Sequence, residues 1–481
     1  MPVGRRAFMG GLAAATTLPA FHPAAAQSNK PAAAKGKTLI KGGYVVSMDK
    51  TVGELPVGDV LIEGGKILDV GKSIRAADAT VIDARQKVVL PGLIDTHRHT
   101  WETVTRSLIS EGDLAVYIKV ITGTLGPRYR PEDVYIGNLL GAVGALNAGI
   151  TTMLDWSHIT NSPAHADSAI KGLADSGMRS IYAYGYSPDP AVAKAPDIET
   201  RRDTDIRRIK QQYFRSDDQL MTMAIATRDV AGTPKKAFID IKLARELGMR
   251  VTMHITKAGG ITKLNEAGLL GPDMTFVHTD GIEATDEEYQ MMAAHGGTIS
   301  TSSATEIMSG HGFPSAQRWL KYGLRPSFSV DNETRMPADL FAQMRALVMS
   351  DHMLETDRAR KEGGKPTLIP IRDVLEFATL QGARATGLDA KVGTLTPGKR
   401  ADLILIDLDD ISLIPATDPV ATVVLRVQPA NVSWVFVDGQ VKKRAGKLVG
   451  IDLNRVRRLT NVSTKYVLGL MRDAGEDIRS G

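Results

Sequence analysis

Eight short apolar segments, most of them separated by helical patterns, constrain the fold of this chain more than any other feature of its sequence. They are Gly92–Thr96, Thr151–Asp155, Arg179–Tyr184, Leu220–Ala226, Arg250–His254, Met274–His278, Thr298–Thr301 and Pro326–Asp331. Buried strands that alternate with helices over a region of this length are typical of a (β/α)8 TIM-type barrel. A doubly wound parallel sheet shows the same alternation, so periodicity alone leaves both architectures open.

Strand patterns without helices occupy both ends of this middle region. Gly42-Gly43 and Gly64-Gly65 are typical turns between short strands, and residues 401–407 and 432–439 alternate in the same way. We therefore predict an α/β chain, a barrel with a small discontinuous β-sandwich domain formed by N- and C-terminal segments. The predicted parts are residues 37–90 and 391–450 for the small domain, 91–390 for the barrel and 451–481 for a C-terminal helical tail. The segment from Trp101 to Gly149 is long and should hold a helical insertion.

Residues 1–26 have the pattern of an export signal rather than of a fold. Arg5-Arg6 precedes a short apolar run, and Ala24-Ala25-Ala26 offers a cleavage site. The paired arginines resemble a twin-arginine signal, which predicts a bacterial periplasmic protein that engages the twin-arginine export machinery. The apolar run is too short to cross a membrane, and no longer one follows, so no stable membrane anchoring is expected.

Composition excludes several classes of site. The chain has no cysteine, which removes disulfides, zinc–thiolate sites and cysteine nucleophiles. Its net charge is +5, or +3 without Arg5 and Arg6, and its lysines and arginines are not clustered, which argues against nucleic-acid binding. Any metal must therefore be held by histidine, aspartate, glutamate or a modified lysine.

Four histidines and one aspartate lie where predicted strands end. His97 and His99 are two residues apart on the first strand, so both side chains face the same side. His254, His278 and Asp331 end the fifth, sixth and eighth strands. Because the carboxyl ends of barrel strands surround one mouth, these groups should converge there. Neutral imidazoles with one carboxylate suit a borderline divalent ion such as Zn²⁺ or Fe²⁺.

Ordered motifs carry a resemblance to a known family. The segment Val88–His99 resembles the opening motif of the amidohydrolase superfamily, and Val392–Leu405 resembles its closing motif. Ala148–Asp155 and Phe276–His278 lie between them in the order of that superfamily. The resemblance is nearest to the cytosine deaminase and chlorohydrolase-like branch.

This resemblance implies a ligand set and catalytic roles. It implies one divalent ion, zinc or iron, held by His97, His99, His254 and Asp331. The fourth strand offers no bridging lysine, which favours one ion over two. Asp331 would accept a proton from the attacking water, and His278 would polarise the carbon under attack. A homo-oligomer is the expectation for such a protein.

The sequence departs from the resembled branch at two places. Deaminases of the branch carry His-x-x-Glu on the fifth strand, whereas this chain has Lys257 at the glutamate position, and a lysine cation cannot accept a proton. Glu306, in the seventh-strand loop, is a candidate to replace that acid, or else a solvated loop residue. The predicted substrate contacts are Trp101, Trp156, His158, Lys257 and His311.

The sequence favours a metal-dependent hydrolase that cleaves a non-peptide C–N bond, such as an amide or carbamate, of a small aromatic or heterocyclic substrate. A hydrolytic deaminase of an aminoheterocycle is the nearest alternative. A catalytically silent binding protein on the same barrel is the alternative from another class, and the missing His-x-x-Glu favours it. The complete set of four ligands argues against it.

Overall fold

The computed structural model describes residues 36–255, 257–280 and 284–475. The predicted export signal, residues 1–26, lies outside this part of the chain. The described part of the chain begins with five strands, β1 to β5: Lys37–Val46, Glu54–Glu63, Lys66–Gly71, Ala79–Asp83 and Lys87–Pro91. β1 and β2 are antiparallel, and β5 runs parallel to β1.

The next eight described strands, β6 to β13, form one parallel sheet. They are Leu93–Arg98, Ile150–Ser157, Arg179–Tyr184, Met221–Ala226, Arg250–His254, Met274–Val277, Thr298–Thr301 and Ser327–Phe328. Their spatial order follows their order in the chain, and β13 also packs against β6. This simple order confirms the barrel and excludes the doubly wound sheet, whose strand order reverses at a switch point.

The last four described strands return to the first sheet. β14 to β17 are Leu403–Asp407, Val432–Val437, Gln440–Arg444 and Lys447–Leu448. β14 pairs with β5 over five residues, Leu403 opposite Pro91 through Asp407 opposite Lys87. The N- and C-terminal segments therefore build one mixed sheet, of nine strands in the described part of the chain.

Helices cover the outside of the barrel. Those of the described residues, α1 to α15, are Leu114–Tyr117, Pro131–Asn147, Pro163–Ser176, Pro190–Ala193, Ile198–Tyr213, Pro234–Glu246, Gly260–Glu266, Asp286–Ala294, Ser303–Ser309, Ala316–Leu320, Leu340–Glu362, Ile371–Glu376, Gly382–Ala385, Pro419–Leu425 and Leu453–Asp473. Short 3-10 or π-helical turns add Thr100–Thr105, Ile118–Leu125, Gly126–Arg128, Phe377–Gln381 and Pro429–Asn431.

The predicted insertion after the first barrel strand is helical. It begins with the 3-10 turn Thr100–Thr105 and ends with α2. α2 packs closely against this turn, as Gly137 shows: a Cβ atom at this position would lie 2.3 Å from the carbonyl oxygen of Trp101. The close packing fixes the backbone directly after His99 and so positions the side chains that follow it.

The barrel and the mixed sheet are joined by buried polar contacts as well as by apolar packing. Arg179 Nε on β8 lies 2.7 Å from Asp402 Oδ2, just before β14, and both side chains are buried. Lys443 Nζ on β16 donates to the carbonyl oxygen of Asn147 at 2.7 Å. A buried charge needs such a partner, so these pairs fix how the two parts meet.

Candidate metal centre and active site

His97, His99 and His254 bring imidazole nitrogens together at the carboxyl ends of the barrel strands. His97 is the fifth residue of β6, His99 follows that strand, and His254 ends β10. His97 Nε2 and His254 Nε2 are 3.2 Å apart. Two unprotonated ring nitrogens that face each other repel unless a proton or a cation lies between them, so this arrangement favours a bound ion.

Asp331 joins the cluster through its backbone and its side chain. Its N–H donates to the carbonyl oxygen of His97 at 3.0 Å, and its own carbonyl oxygen accepts from His99 N–H at 2.6 Å. Its Oδ1 lies 3.4 Å from Nε2 of each of these histidines. The residue has a φ of 68°, a left-handed conformation that is rare for aspartate. Strain of this kind persists where surrounding contacts hold it, often at functional sites.

The surroundings keep the imidazoles in the form that binds metals. Burial, together with the neighbouring imidazoles, lowers the pKa of His99 and of His254 well below the usual value. His99 Nδ1–H donates to the carbonyl oxygen of Trp156 at 2.9 Å, which leaves the lone pair on Nε2 facing Asp331. Burial raises the pKa of Asp331, but the hydrogen bond from His97 and nearby imidazoles outweigh it and lower that pKa overall.

These residues fit a divalent metal ion. Ligand atoms of His97, His99 and Asp331 all lie within 4.8 Å of one another, as do those of His97, His254 and His278. Three neutral imidazoles and one carboxylate form the nitrogen-and-oxygen donor set that zinc accepts. The four residues predicted as ligands are thus brought together by the fold.

His278 lies next to this cluster, at the end of β11. Its Nε2 is 3.9 Å from Asp331 Oδ1, and its φ of 60° is also left-handed. Its Nδ1–H donates to Glu306 Oε1 at 2.8 Å. The ring is therefore held through Nδ1, and Nε2 points toward the predicted ligands, where it can act on a substrate.

Glu306 is a buried partner of His278 and not a solvated loop residue. It lies in α9 and accepts two further hydrogen bonds, from Thr301 Oγ1 at 2.8 Å and from Ser302 N–H at 3.0 Å. Burial raises the pKa of Glu306, but hydrogen bonds with the Asp280 side chain, with His278 and with Ser302 N–H outweigh it and lower that pKa below its usual value. The carboxylate is thus placed to act through His278.

The five predicted substrate contacts are found in different surroundings. Trp156 is buried and stacks on His254 with ring centroids 4.1 Å apart, and His158 lies 3.9 Å from the ring of His99. His311 stacks on His278 at 5.1 Å. Trp101 is fully buried, and Lys257 is exposed. The structure therefore places Trp156, His158 and His311 beside the cluster, and Lys257 at the surface.

Three residues near the site were not singled out from the sequence. Glu102 and Tyr117 lie on the His99 side, where the Tyr117 hydroxyl donates to Glu102 Oε1 at 2.6 Å. Tyr186 follows β8, and its ring centroid is 5.6 Å from that of Trp156. Glu102 follows His99 by three residues, so nearness to the motif could have drawn attention to it. The positions of Tyr117 and Tyr186 depend on loop structure and gave no such signal.

A buried ion network lies next to the two neighbouring histidines His97 and His99. Arg98, between His97 and His99, is fully buried and pairs with Asp95 at 2.7 Å and with Glu333 at 3.1 Å. Glu333 also pairs with Arg106. The paired Arg98 fixes the backbone between the two histidines, whose ring centroids lie 4.7 Å apart.

Comparison with known proteins agrees with this site. Residues 88–442 match the model of the amidohydrolase family. The chain is 26% identical over 437 residues to a 5'-deoxyadenosine deaminase of Methanosarcina acetivorans, covering 87% of this chain and 95% of the relative. It is 24% identical over 442 residues to a 5-methylthioadenosine/S-adenosylhomocysteine deaminase of Pyrococcus furiosus, with 87% and 98% covered.

Two solved structures show the same fold. An adenosine deaminase from Xanthomonas campestris with bound zinc has a TM-score of 0.78 at 21% identity, covering 90% of this chain and 98% of the other. An atrazine chlorohydrolase from Arthrobacter aurescens TC1 complexed with zinc has a TM-score of 0.78 at 22% identity, with 89% and 100% covered.

Proposed function

The chain belongs to the amidohydrolase family, and on this premise we propose that it is a metal-dependent hydrolase that cleaves a non-peptide C–N bond of a small heterocyclic substrate. The observation that carries the proposal is the convergence of His97, His99, His254 and Asp331 at one end of the barrel. Membership of the family and the named relatives, which are deaminases, support C–N hydrolysis.

We further propose that the site holds one ion and that the ion is zinc. The nitrogen-rich donor set suits zinc, although iron accepts the same ligands. When bound, such an ion supplies Lewis-acid activation of water at neutral pH. The zinc in the two similar solved structures supports the choice of metal.

The residues of this chain would move the protons of the reaction. Asp331 Oδ1 is ionised and faces the cluster, so it can accept a proton from the attacking water. His278 Nε2 lies 3.9 Å from that oxygen and can pass a proton on to the leaving nitrogen. Glu306 holds the proton on His278 Nδ1 and stabilises the imidazole when it is charged. We assign Lys257 no part in these proton transfers, because its side chain is exposed.

Deamination of an aminoheterocycle is the second candidate reaction. Trp156 and Tyr186 meet edge to face with ring centroids 5.6 Å apart beside the site, and His254 stacks on the same indole. Such aromatic surroundings suit a flat ring, and the relatives named above act on adenine-containing compounds by their names. Release of ammonia distinguishes deamination from cleavage of an amide or carbamate.

We propose in addition that the protein is exported to the bacterial periplasm by the twin-arginine machinery, and that it forms a homo-oligomer. Arg5-Arg6, the apolar run and the alanine-rich cleavage site support export. Among the described residues, no helix is long and apolar enough to cross a membrane. Expression of the full-length chain and detection of its processed form in the periplasmic fraction, with loss of that form when Arg5 and Arg6 are both replaced by lysine, would test export.

The central proposal is tested by metal content and turnover together. Elemental analysis of the purified protein should give about one zinc per chain, lost in His254→Ala but kept in His295→Ala, because His295 is exposed at the C-terminal end of α8. The loaded enzyme should then hydrolyse a member of a panel of amides, carbamates and aminoheterocycles. A protein that binds metal but hydrolyses none of them would favour the silent barrel, and a protein without metal would overturn the proposal.

A further inference from the structure

A second polar group lies on the His99 side of the predicted metal centre. It consists of Trp101, Glu102, Tyr117 and His158, which we call the Glu102 cluster; all four side chains are buried. The ring of His158 lies 3.9 Å from that of His99, so the cluster borders the metal ligands directly. Its ligand atoms are close enough for an ion, since those of His99, Glu102 and His158 lie within 4.8 Å of one another.

Hydrogen bonding nevertheless argues against a second metal here. Trp101 Nε1–H lies 3.1 Å from His158 Nδ1, and because an indole nitrogen only donates, Nδ1 must be the acceptor. The proton of the neutral His158 ring is therefore on Nε2, which leaves no lone pair for an ion. His99 offers none either, since its Nδ1–H is bonded to Trp156 and its Nε2 faces Asp331.

His158 Nε2–H is instead a donor without a good acceptor. Tyr117 Oη lies 3.5 Å away and Glu102 Oε1 lies 3.8 Å away, both longer than a strong hydrogen bond. A buried donor in this position gains free energy from any ligand that offers it an acceptor.

Glu102 presents the complementary acceptor. Its Oε1 accepts the proton of the Tyr117 hydroxyl at 2.6 Å, whereas its buried Oε2 has no hydrogen-bond partner among the described residues. An unpaired carboxyl oxygen in the interior is costly to the fold, and in native proteins it calls for an explanation such as a bound ligand.

We propose that Glu102 and His158 together recognise the edge of a nitrogen heterocycle on which an N–H donor stands beside a carbonyl or ring-nitrogen acceptor, as in a lactam or an amidine. The substrate's N–H would donate to Glu102 Oε2, and its acceptor would receive His158 Nε2–H. His158 Nε2 lies 3.8 Å from Glu102 Oε1, so the imidazole and the carboxyl group are close enough to meet adjacent atoms of one ring. The inference rests on the proposed function and names its substrate class.

The hydrogen bond from the Tyr117 hydroxyl fixes the orientation of the Glu102 carboxyl group. Tyr117 belongs to the insertion, between the 3-10 turn Thr100–Thr105 and α2, and it covers the Glu102 side of the site. Arg335 Nη1 ties the same segment down by donating to the carbonyl oxygen of Gly112 at 2.8 Å. Because the Tyr117 hydroxyl always supplies a proton to one carboxyl oxygen, a substrate that enters beneath this segment meets the other oxygen as its acceptor.

Calorimetric titration of the purified zinc-loaded protein tests the proposal without turnover. The probes are two matched pairs: 4(3H)-pyrimidinone with its N3-methyl derivative, and hypoxanthine with 1-methylhypoxanthine. In each pair methylation removes one N–H and leaves the carbonyl. The wild-type protein should bind the N–H member of at least one pair about tenfold or more tightly, the effect of one buried hydrogen bond.

Two variants on the same segment decide the role of the carboxyl. In Glu102→Gln the amide oxygen will face Tyr117 and its NH2 will face the ligand, so the preference for the N–H member should disappear. Glu111→Gln makes the same chemical change at an exposed position and should keep the preference. Equal binding of both members by the wild type, no binding of either pair, or the same preference in both variants would overturn the proposal.

The outcome is separable from that of the proposed function. Metal content and hydrolysis by Glu111→Gln report on the hydrolase, whereas the ratio of the two affinities reports only on recognition. A hydrolase without the N–H preference would retain its function and lose this substrate class. If the protein shows the N–H preference but binds no metal, recognition of this substrate class would stand and the proposed hydrolase function would fail.

Discussion

Two buried glutamates flank the metal ligands on opposite sides, and each lies near an imidazole. Glu306 holds His278, accepts hydrogen bonds from His278, Thr301 and Ser302 and contacts Asp280, and its pKa is lowered. Glu102 lies near His158, and among the described residues it has one side-chain donor and one oxygen without a partner; burial raises its pKa well above the usual value. A saturated carboxylate is suited to hold another side chain still, and an unsaturated one is suited to meet a ligand. The same residue type thus serves two purposes because its partners differ.

The largest effect should come from a change at Asp331, because loss of a metal ligand affects both the Glu306 side and the Glu102 side of the site. Asp331→Asn keeps the shape of the side chain and removes its charge, which weakens the site for a divalent ion. Loss of a residue that only supports a ligand typically costs 10–100-fold in metal affinity, so we expect at least about 100-fold here, with turnover lost in parallel. Competition with a fluorescent zinc chelator measures the affinity; wild-type affinity in this variant would remove Asp331 from the ligand set.

His278→Ala should separate chemistry from metal binding. The ion should remain, because four other ligands are intact, while kcat falls by about 10²–10⁴-fold as a proton-transfer group is lost. His311→Ala, which removes the ring stacked on His278, is the matched control and should have a much smaller effect on kcat. Equal losses in both variants would contradict a catalytic role for His278.

Glu306→Gln should act through His278 and should spare substrate binding. The glutamine can still accept the Nδ1 proton but no longer stabilises a charged ring, so kcat should fall by about 10–100-fold with little change in KM. Nitrogen NMR of the His278 ring gives an independent signature of its protonation. In Glu102→Gln the larger change should be in KM, and the reverse pattern would break the distinction between the two glutamates.

The smallest effect is expected at Lys257, outside both sides of the site. Because the side chain is exposed, Lys257→Ala should change kcat/KM by less than about threefold, as for most surface substitutions. Steady-state kinetics on the same substrate measure it. A loss comparable to that of Glu306→Gln would show that the lysine reaches the substrate after all.

Much of the metal centre was predictable because its ligands belong to regular structure. The ranges predicted for Arg179–Tyr184, Arg250–His254 and Thr298–Thr301 agree with β8, β10 and β12. The alternation of His97 and His99 follows from strand geometry, and in a barrel all strand ends meet at one mouth.

The flanking groups were less predictable because their positions depend on loops. That Glu306 would lie behind His278, rather than in solvent, is set by donors from Thr301 and Ser302 at the end of β12. The orientation of the Glu102 carboxyl group depends on Tyr117, which is fifteen residues away on an irregular insertion. No periodicity encodes such contacts, since they arise from how a segment without a repeating pattern packs.

The backbone hydrogen bonds between Asp331 and the two histidines of the first strand have a consequence for the order of events in the cell. They join the beginning of the barrel to its end, so the complete set of ligands exists only after the ribosome has passed residue 331 and the last strand has docked on the first. A nascent chain can offer an ion two imidazoles, and later a third, but never the carboxylate. Coordination by all four residues therefore follows closure of the barrel, and a chain that fails to close lacks the carboxylate ligand.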